Sequence, residues 1–280
     1  MNLAYVNGQY LPRLDAAVSI EDRGYQFADG VYEVIWLKNG TLIDEAAHFK
    51  RLKRSLKELS IAMPTTERAL TIITHELIRR NHATQGDHML YIQITRGTAR
   101  RNHLFPKATR PSLVMTLTRF TPPTEAEINK GVKIITHPDI RWGRRDVKSI
   151  ALLPNILARQ KAGEAGAREA MLVDGDTVTE GSTANIFIVK KGVLITHPAD
   201  NRILNGVTRL AILALAAKLQ IKIEERAFTT KEVTAADEIF ISSTTAGVLP
   251  VSQLDAKKVS VGKIALKLYA AYQDYVSAQC

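Results

Sequence analysis

The 280-residue sequence holds a single cysteine, Cys280, which excludes an internal disulfide framework and fits a reducing, cytoplasmic setting. No apolar run approaches the roughly 20 residues that a membrane-crossing helix requires. The opening MNLAYVNGQYL lacks the basic-then-apolar pattern of an export signal, so neither membrane insertion nor export is expected. No stretch repeats, none is of low complexity, and no metal site is expected. What remains is an ordinary globular composition, 45% hydrophobic and 24% charged, long enough to bury one large or two medium cores.

A net charge of +10 invites a nucleic-acid reading. The basic residues are instead scattered over helical stretches such as FKRLKRSLKEL, with no arm and no aromatic-interleaved stripe. The densest cluster, Arg141, Arg144, Arg145 and Lys148, is short. Such charge suits a solvated surface and the steering of small anions, not duplex binding. A polyanion-binding protein would show salt-sensitive binding and no visible absorbance.

Along the chain, residues 4–11 read as two short strands around an Asn7-Gly8 turn. EDRGYQFADG (21–30) reads as a loop before the strand VYEVIWL, and Lys38-Asn39-Gly40 turns the chain into Thr41-Leu42-Ile43. Asp44 is placed to cap a helix carrying Phe49, Leu52, Leu56 and Leu59, ended by Pro64, and a second helix covers about 66–81. Strands at 89–95 and 112–118 flank the polar loop RGTARRNHLFPKATRP. Paired prolines at 122–123 mark a linker over 121–125, dividing a smaller domain (1–120) from a larger one (126–280). In the second, strands are expected at 132–137, 169–173, 184–189, 193–197, 221–225 and 238–242. Helices are expected at about 152–165, 208–219, 230–235 and 261–276. Asp174-Gly175 and Lys191-Gly192 are read as hairpin turns. Hairpins mixed with helices argue for an α+β fold over one doubly wound parallel sheet.

The chemistry centres on Trp142 to Asn185. Lys148 lies where an extended segment gives way to a helix, within Asp146-Val147-Lys148-Ser149; about 30 residues on, Glu180 opens the Gly181-Ser182-Thr183 turn in T-V-T-E-G-S-T-A-N (177–185). A lysine and a carboxylate on successive elements can converge on one small aromatic ligand. Leu204-Asn205-Gly206-Val207-Thr208-Arg209 opens a helix, whose free N–H groups form an anion site.

These strings, with Gly30-Val31-Tyr32-Glu33, His48-Phe49-Lys50-Arg51-Leu52, Arg101-Asn102-His103 and Ser243-Thr244-Thr245, resemble the fold-type IV pyridoxal-phosphate (PLP) aminotransferases. Within them they are most similar to the D-amino-acid aminotransferases. The resemblance runs from residue 21 to residue 245. It implies a small N-terminal α/β domain and a larger, barrel-like mixed α/β domain. It makes Lys148 the residue that bonds PLP as an imine, which requires an unprotonated amine; Arg141 and Arg144 are available as positive charge favouring that form. Glu180 pairs with the ring nitrogen of PLP. Arg51, Gly206, Val207, Thr208, Ser243 and Thr244 hold the phosphate. Tyr32, Val34, Arg101 and His103 receive the substrate, the last two reaching over from the second subunit of a homodimer with a shared active site.

The implied activity is ping-pong transamination between a D-amino acid (D-alanine, D-glutamate or D-aspartate) and a 2-oxo acid. The alternatives within the fold are a branched-chain L-amino-acid aminotransferase and an (R)-amine transaminase. Two departures stand out. Ala184 replaces a hydroxyl residue that some relatives carry. Trp36 shares the strand face of Tyr32 and, if its ring entered the pocket, would narrow side-chain acceptance.

Overall fold

The computed structural model describes residues 2–280. By contacts the chain divides into two compact units. One comprises the residues up to Thr121 together with Val147–Ala151 and Gln279–Cys280; the other comprises Pro122–Asp146 and Leu152–Ala278. The segment bearing Lys148 thus groups with the first unit, whereas the sequence reading assigned it to the second.

The first unit opens with the expected hairpin, β1 (Leu3–Val6) and β2 (Gln9–Pro12). Its turn residues Asn7 and Gly8 both take positive φ, 47° and 104°, as a two-residue hairpin turn requires. The segment read as a loop contains a one-turn helix, α1 (Arg23–Phe27), capped by Asp22, whose side chain accepts from the Gly24 N–H. Strands β3 (Gly30–Lys38) and β4 (Thr41–Leu42) precede helices α2 (Glu45–Glu58) and α3 (Glu67–Arg80), and β5 (Asp87–Thr95) and β6 (Ser112–Arg119) complete the unit. Asp44 does not cap α2 through its side chain; it adopts a left-handed conformation, φ 56°. Nor does Pro64 end that helix, which stops at Glu58, two residues before left-handed Ser60.

The six strands run β2-β1-β6-β5-β3-β4. Strand alternation divides their side chains. Val31, Ile35, Leu37, Leu90, Ile92, Ile94, Leu113, Met115 and Leu117 are buried with Leu52 and Leu56 of α2 and Leu70 and Leu77 of α3. The opposite face carries Tyr32, Val34, Tyr91 and Gln93, all only partly buried.

The second unit starts with a helix that the sequence reading missed, α4 (Glu125–Lys130), held by a complete Thr124/Glu127 capping box. It continues β7 (Val132–Pro138), α5 (Leu153–Glu164), β8 (Glu169–Asp174), β9 (Thr177–Gly181), β10 (Asn185–Lys190) and β11 (Val193–Thr196). Then follow α6 (Val207–Lys218), β12 (Ile223–Glu225), β13 (Phe228–Thr229), α7 (Thr230–Thr234), β14 (Glu238–Ser243), β15 (Gly247–Leu254), β16 (Lys257–Lys258) and α8 (Lys263–Ser277). The sheet runs β12-β11-β10-β14-β15-β7-β8-β9-β13, with β16 beside β15. Parallel pairs (β7 with β8 and β15, β11 with β12) occur among antiparallel hairpins, so the sheet is mixed and the fold α+β. Strand β15 escaped the sequence reading because Pro250 interrupts a short apolar run, which resembles a loop. No helix among the described residues is long and apolar enough to cross a membrane.

Candidate active site

In the first unit Lys148 is placed by its backbone. Strand β5 occupies one edge of β3 along its whole length, and β4 pairs only with Leu37 and Lys38 on the other. Residues 148–150 take up the edge that remains: the Tyr32 N–H donates to the Lys148 carbonyl (3.0 Å) and the Ile150 N–H to the Gly30 carbonyl (3.1 Å). The Ser55 hydroxyl accepts from the Lys148 N–H (3.3 Å). Gly30 is needed here, since a Cβ would lie 2.7 Å from the Ile94 carbonyl oxygen. The Lys148 Nζ stands 4.2 Å from the centroid of the Tyr32 ring, which in turn stacks on Tyr91 at 5.7 Å. Burial pushes the Tyr91 phenol up to about 12, so it stays protonated and donates to the Gln93 Oε1 (2.7 Å).

The neighbouring strand residue, Glu33, points to the opposite face and is fully buried. It receives Arg51 side-on, Nε to Oε1 and Nη2 to Oε2, both 2.8 Å, and His48 Nδ1 at 2.9 Å. Arg51, read as a phosphate ligand, therefore has its guanidinium plane set by Glu33, which the sequence reading gave no role. Burial alone would raise the Glu33 pKa; the Arg51 charge and hydrogen bonds overcome it and bring it to about 2. Burial also holds His48 below its usual value. Because Glu33 titrates lower in the folded than in the unfolded chain, its stabilisation is complete above about pH 4.5. It is lost as pH falls toward 2 and amounts to about 3 kcal/mol. The gap in unfolding free energy between the wild type and Glu33→Gln is expected to be widest near neutrality and to close toward pH 2; urea titrations across that range measure it.

Val34 lies opposite Tyr91, half-buried on the face of Tyr32. Trp36 shares that face but does not act as a pocket wall. Its ring is 2% exposed, its Nε1 donates to Asp87 (2.8 Å), and it meets Phe120 edge-on. Trp36→Ala is accordingly expected to destabilise the chain by about 3–5 kcal/mol while leaving substrate preference unchanged. A denaturant midpoint and a panel of amino donors test the two halves separately. Arg101 and His103 both rest on Phe27, at 4.9 Å and 5.4 Å from its ring centroid.

In the second unit Glu180 lies in β9, fully buried. It accepts from Arg141 Nη1, from the Asn185 amide (3.1 Å) and, with both oxygens, from the Leu204 N–H (3.1 Å). Arg141 is itself clamped by Asp139 through Nε (2.9 Å) and Nη2 (2.7 Å), and the Thr179 hydroxyl holds Asp139 at 2.7 Å. Burial pushes the Glu180 carboxyl up, against the opposing pull of Arg141. Burial opposes ionisation of Asp139 as well, but there its bonds to Arg141 and Thr179 prevail and hold it low. The positive charge that the sequence reading offered to Lys148 is thus committed elsewhere, that of Arg141 to Glu180 and Asp139 and that of Arg144 to Asp146.

Glu180 is tied to the start of α6. Asn185, which donates to it, also donates to the Leu204 carbonyl (2.9 Å), and a Cβ on Gly206 would lie 2.2 Å from the Asn185 Oδ1. The Gly206 N-cap has no side chain to satisfy the first-turn N–H groups of α6, which are left as donors for an anion. Val207 and Thr208 in that turn are buried. Across the sheet from Asn185, on the same face, stands Ser242, whose buried hydroxyl has no hydrogen-bond partner among the described residues; Ser243 and Thr244 follow it, half-exposed. The turn after Glu180 is organised by buried Glu169, which accepts from the N–H and hydroxyl of both Ser182 and Thr183. This donor set fits PLP: a buried carboxylate for a protonated ring nitrogen, and an uncapped helix start for a phosphate. Among the described residues no acidic, histidine or cysteine group could hold a metal ion.

Fold and donor set together define a PLP-dependent transferase. The model of the family described as Amino-transferase class IV matches residues 30–254, and the chain belongs to that family. The chain is 40% identical over 281 residues to a D-alanine aminotransferase of Staphylococcus epidermidis, covering 99% of each. It is 42% identical over 280 residues to that of Listeria monocytogenes serotype 4b, covering 98% of this chain and 96% of the relative. Among solved structures, a branched-chain aminotransferase from Thermoproteus uzoniensis with norvaline superposes with a TM-score of 0.90 at 26% identity, over 99% of this chain and 95% of that one. The protein is a PLP-dependent aminotransferase.

Proposed function

We propose that this aminotransferase exchanges amino groups between D-amino acids, of the D-alanine type, and 2-oxo acids in two half-reactions. The observation that carries this is the full-length similarity to D-alanine aminotransferases, at 40% identity. PLP supplies the electron sink that lets a proton leave the substrate Cα. Lys148 would hold the cofactor through its Nζ, and that amine, when free, would take up the Cα proton and give it back, serving as general base and then acid. Glu180 accepts the ring N–H and keeps that nitrogen protonated, and Arg141 and Asp139 fix the carboxylate's orientation. The first-turn N–H groups at Gly206, Val207 and Thr208 bind the phosphate with Ser243, Thr244 and Arg51. Tyr32 and Val34 face the substrate.

Arg101 and His103 hold the substrate carboxylate in the site of a second subunit, so the active form is a homodimer; the single cysteine fits a cytoplasmic setting for it. In support, Leu153, Ile156 and Leu157 recur at helical spacing on α5 and are 72%, 57% and 55% exposed, an apolar stripe suited to a second copy. The carboxylate clamp decides which Cα substituent meets Lys148, and hence the stereochemistry.

The test is a visible spectrum of the purified protein before and after adding D-alanine, then L-leucine. Conversion of the cofactor band by D-alanine alone supports the reading. Conversion by L-leucine alone reassigns the carboxylate pocket to a branched-chain L-aminotransferase, and conversion by an amine without a carboxylate reassigns it to an (R)-amine transaminase. A colourless protein that PLP cannot reconstitute overturns the reading entirely.

A further inference from the structure

The loop between β5 and β6 poses a physical problem. From Arg96 to Pro111 it carries five arginine and lysine residues and no carboxylate, and from Thr98 onward it is mostly exposed. Mutual repulsion and solvation would splay such a loop, yet a carboxylate-binding pair needs a defined geometry. The first unit answers with a set of pins, most of which come from residues 21–29. The Asp22 segment bridges to Thr98, and the Ala99 N–H donates to the Glu21 carbonyl (3.2 Å). Buried Arg23 donates to the carbonyl of Asn102 (2.5 Å), the residue between Arg101 and His103. Asp29 holds both Arg23 (2.8 Å) and Arg96 (2.7 Å), and the Arg96 guanidinium lies 3.6 Å from the centroid of the Phe105 ring. Asn102 closes a local turn by accepting the Leu104 N–H (3.0 Å).

What these pins deliver is a common support for two side chains. Arg101 and His103 both come to the ring of Phe27, the last residue of α1, and Arg23 stands 4.8 Å from the same ring. Cation–π attraction holds a guanidinium on an aromatic face without consuming its N–H donors, which stay available for a carboxylate. We infer that Phe27 is a positioning residue for substrate: it is the platform that sets the spacing and orientation of Arg101 and His103, and thereby carboxylate affinity. Asp29 acts one step further back by locking Arg23 and Arg96. This rests on the reading of Arg101 and His103 as the carboxylate clamp. It assigns α1 a purpose that neither its length nor its sequence declares.

The test compares Phe27→Leu, Phe27→Tyr and Arg101→Met in the PLP-loaded enzyme. Phe27→Leu keeps apolar bulk and removes the π face. Its KM for D-alanine is expected to rise about five- to thirtyfold, as two ring contacts weaken, with little change in kcat. Calorimetric affinity for propanoate, which has the carboxylate and no reacting amine, should fall by the same factor, while the cofactor absorbance and the affinity for PLP stay as in the wild type. Phe27→Tyr should restore both within about twofold, because the phenol retains a π face. If Arg101→Met weakens propanoate binding and Phe27→Leu does not, the clamp stands and the platform is wrong. If neither variant weakens it, the clamp itself is wrong. Loss of PLP binding in Phe27→Leu, or failure of Phe27→Tyr to rescue, would reduce Phe27 to general packing and overturn the inference.

Discussion

Lys148→Ala is expected to lower kcat for D-alanine by about four orders of magnitude, the upper range for removing a positioned acid–base group, while leaving the fold intact. The second half of that expectation comes from how the residue is held. Its carbonyl is the acceptor of the Tyr32 N–H and its own N–H donates to Ser55, and an alanine retains both bonds. The contact of Nζ with the Tyr32 ring is lost, about 0.5–1 kcal/mol, together with the packing of a half-buried stem. A urea titration should therefore place the variant within about 1 kcal/mol of the wild type. Lys148→Arg should be as inactive as the alanine variant, because a guanidinium does not deprotonate at accessible pH and can neither bond the cofactor nor accept the Cα proton. Retention of more than about a hundredth of the activity in either variant would remove Lys148 from the chemistry.

The second large effect concerns stability. Arg141→Met is expected to destabilise the chain by about 3–5 kcal/mol, the range for stripping one member from a buried ion pair. The side chains of Asp139 and Glu180 are 0% and 6% exposed, and the guanidinium between them is the cation that both share. After the substitution Asp139 keeps Thr179 and, at 3.4 Å, the Arg145 guanidinium, whereas Glu180 keeps only Asn185 and the Leu204 N–H, which carry no full charge, so the penalty falls mainly on Glu180. At low pH the penalty should shrink, since both carboxyls can then protonate. The double variant Asp139→Asn, Arg141→Met should recover part of the loss. A penalty independent of pH would mean that the methionine disrupts packing and not charge balance.

The α+β character, most strands and the long helices were legible in the sequence because alternation and helical spacing are local signals. Lys148 and Glu180 could be named as candidates for a similar reason, each sitting within a short distinctive string. Residues that hold other residues left no such trace. Glu33 meets His48 and Arg51 across 15 and 18 residues, strand to helix, and Asp139 reaches Thr179 across 40; nothing in the flanking sequence announces either meeting. Trp36 failed differently. Strand periodicity gave its face correctly, but not that Asp87 and Phe120 wait at that end of the sheet to enclose it. Asp44 looked like a cap by residue type, and its left-handed backbone gives it another conformation.

The edge of β3 that accepts residues 148–150 has a consequence for the newborn chain. Gly30 and Ile150, joined by a hydrogen bond, are separated by about 120 residues of sequence. At ribosomal rates of ~5–20 residues per second, roughly ten seconds pass between their syntheses. Once Arg119 completes β6, every strand of the six-stranded sheet can pair while part of one edge stands open for the last ~30 residues of that interval, a row of donors and acceptors for any extended peptide nearby. The lysine arrives last and closes that edge. Acquisition of the reactive amine and protection of the sheet against stray strand pairing are one event.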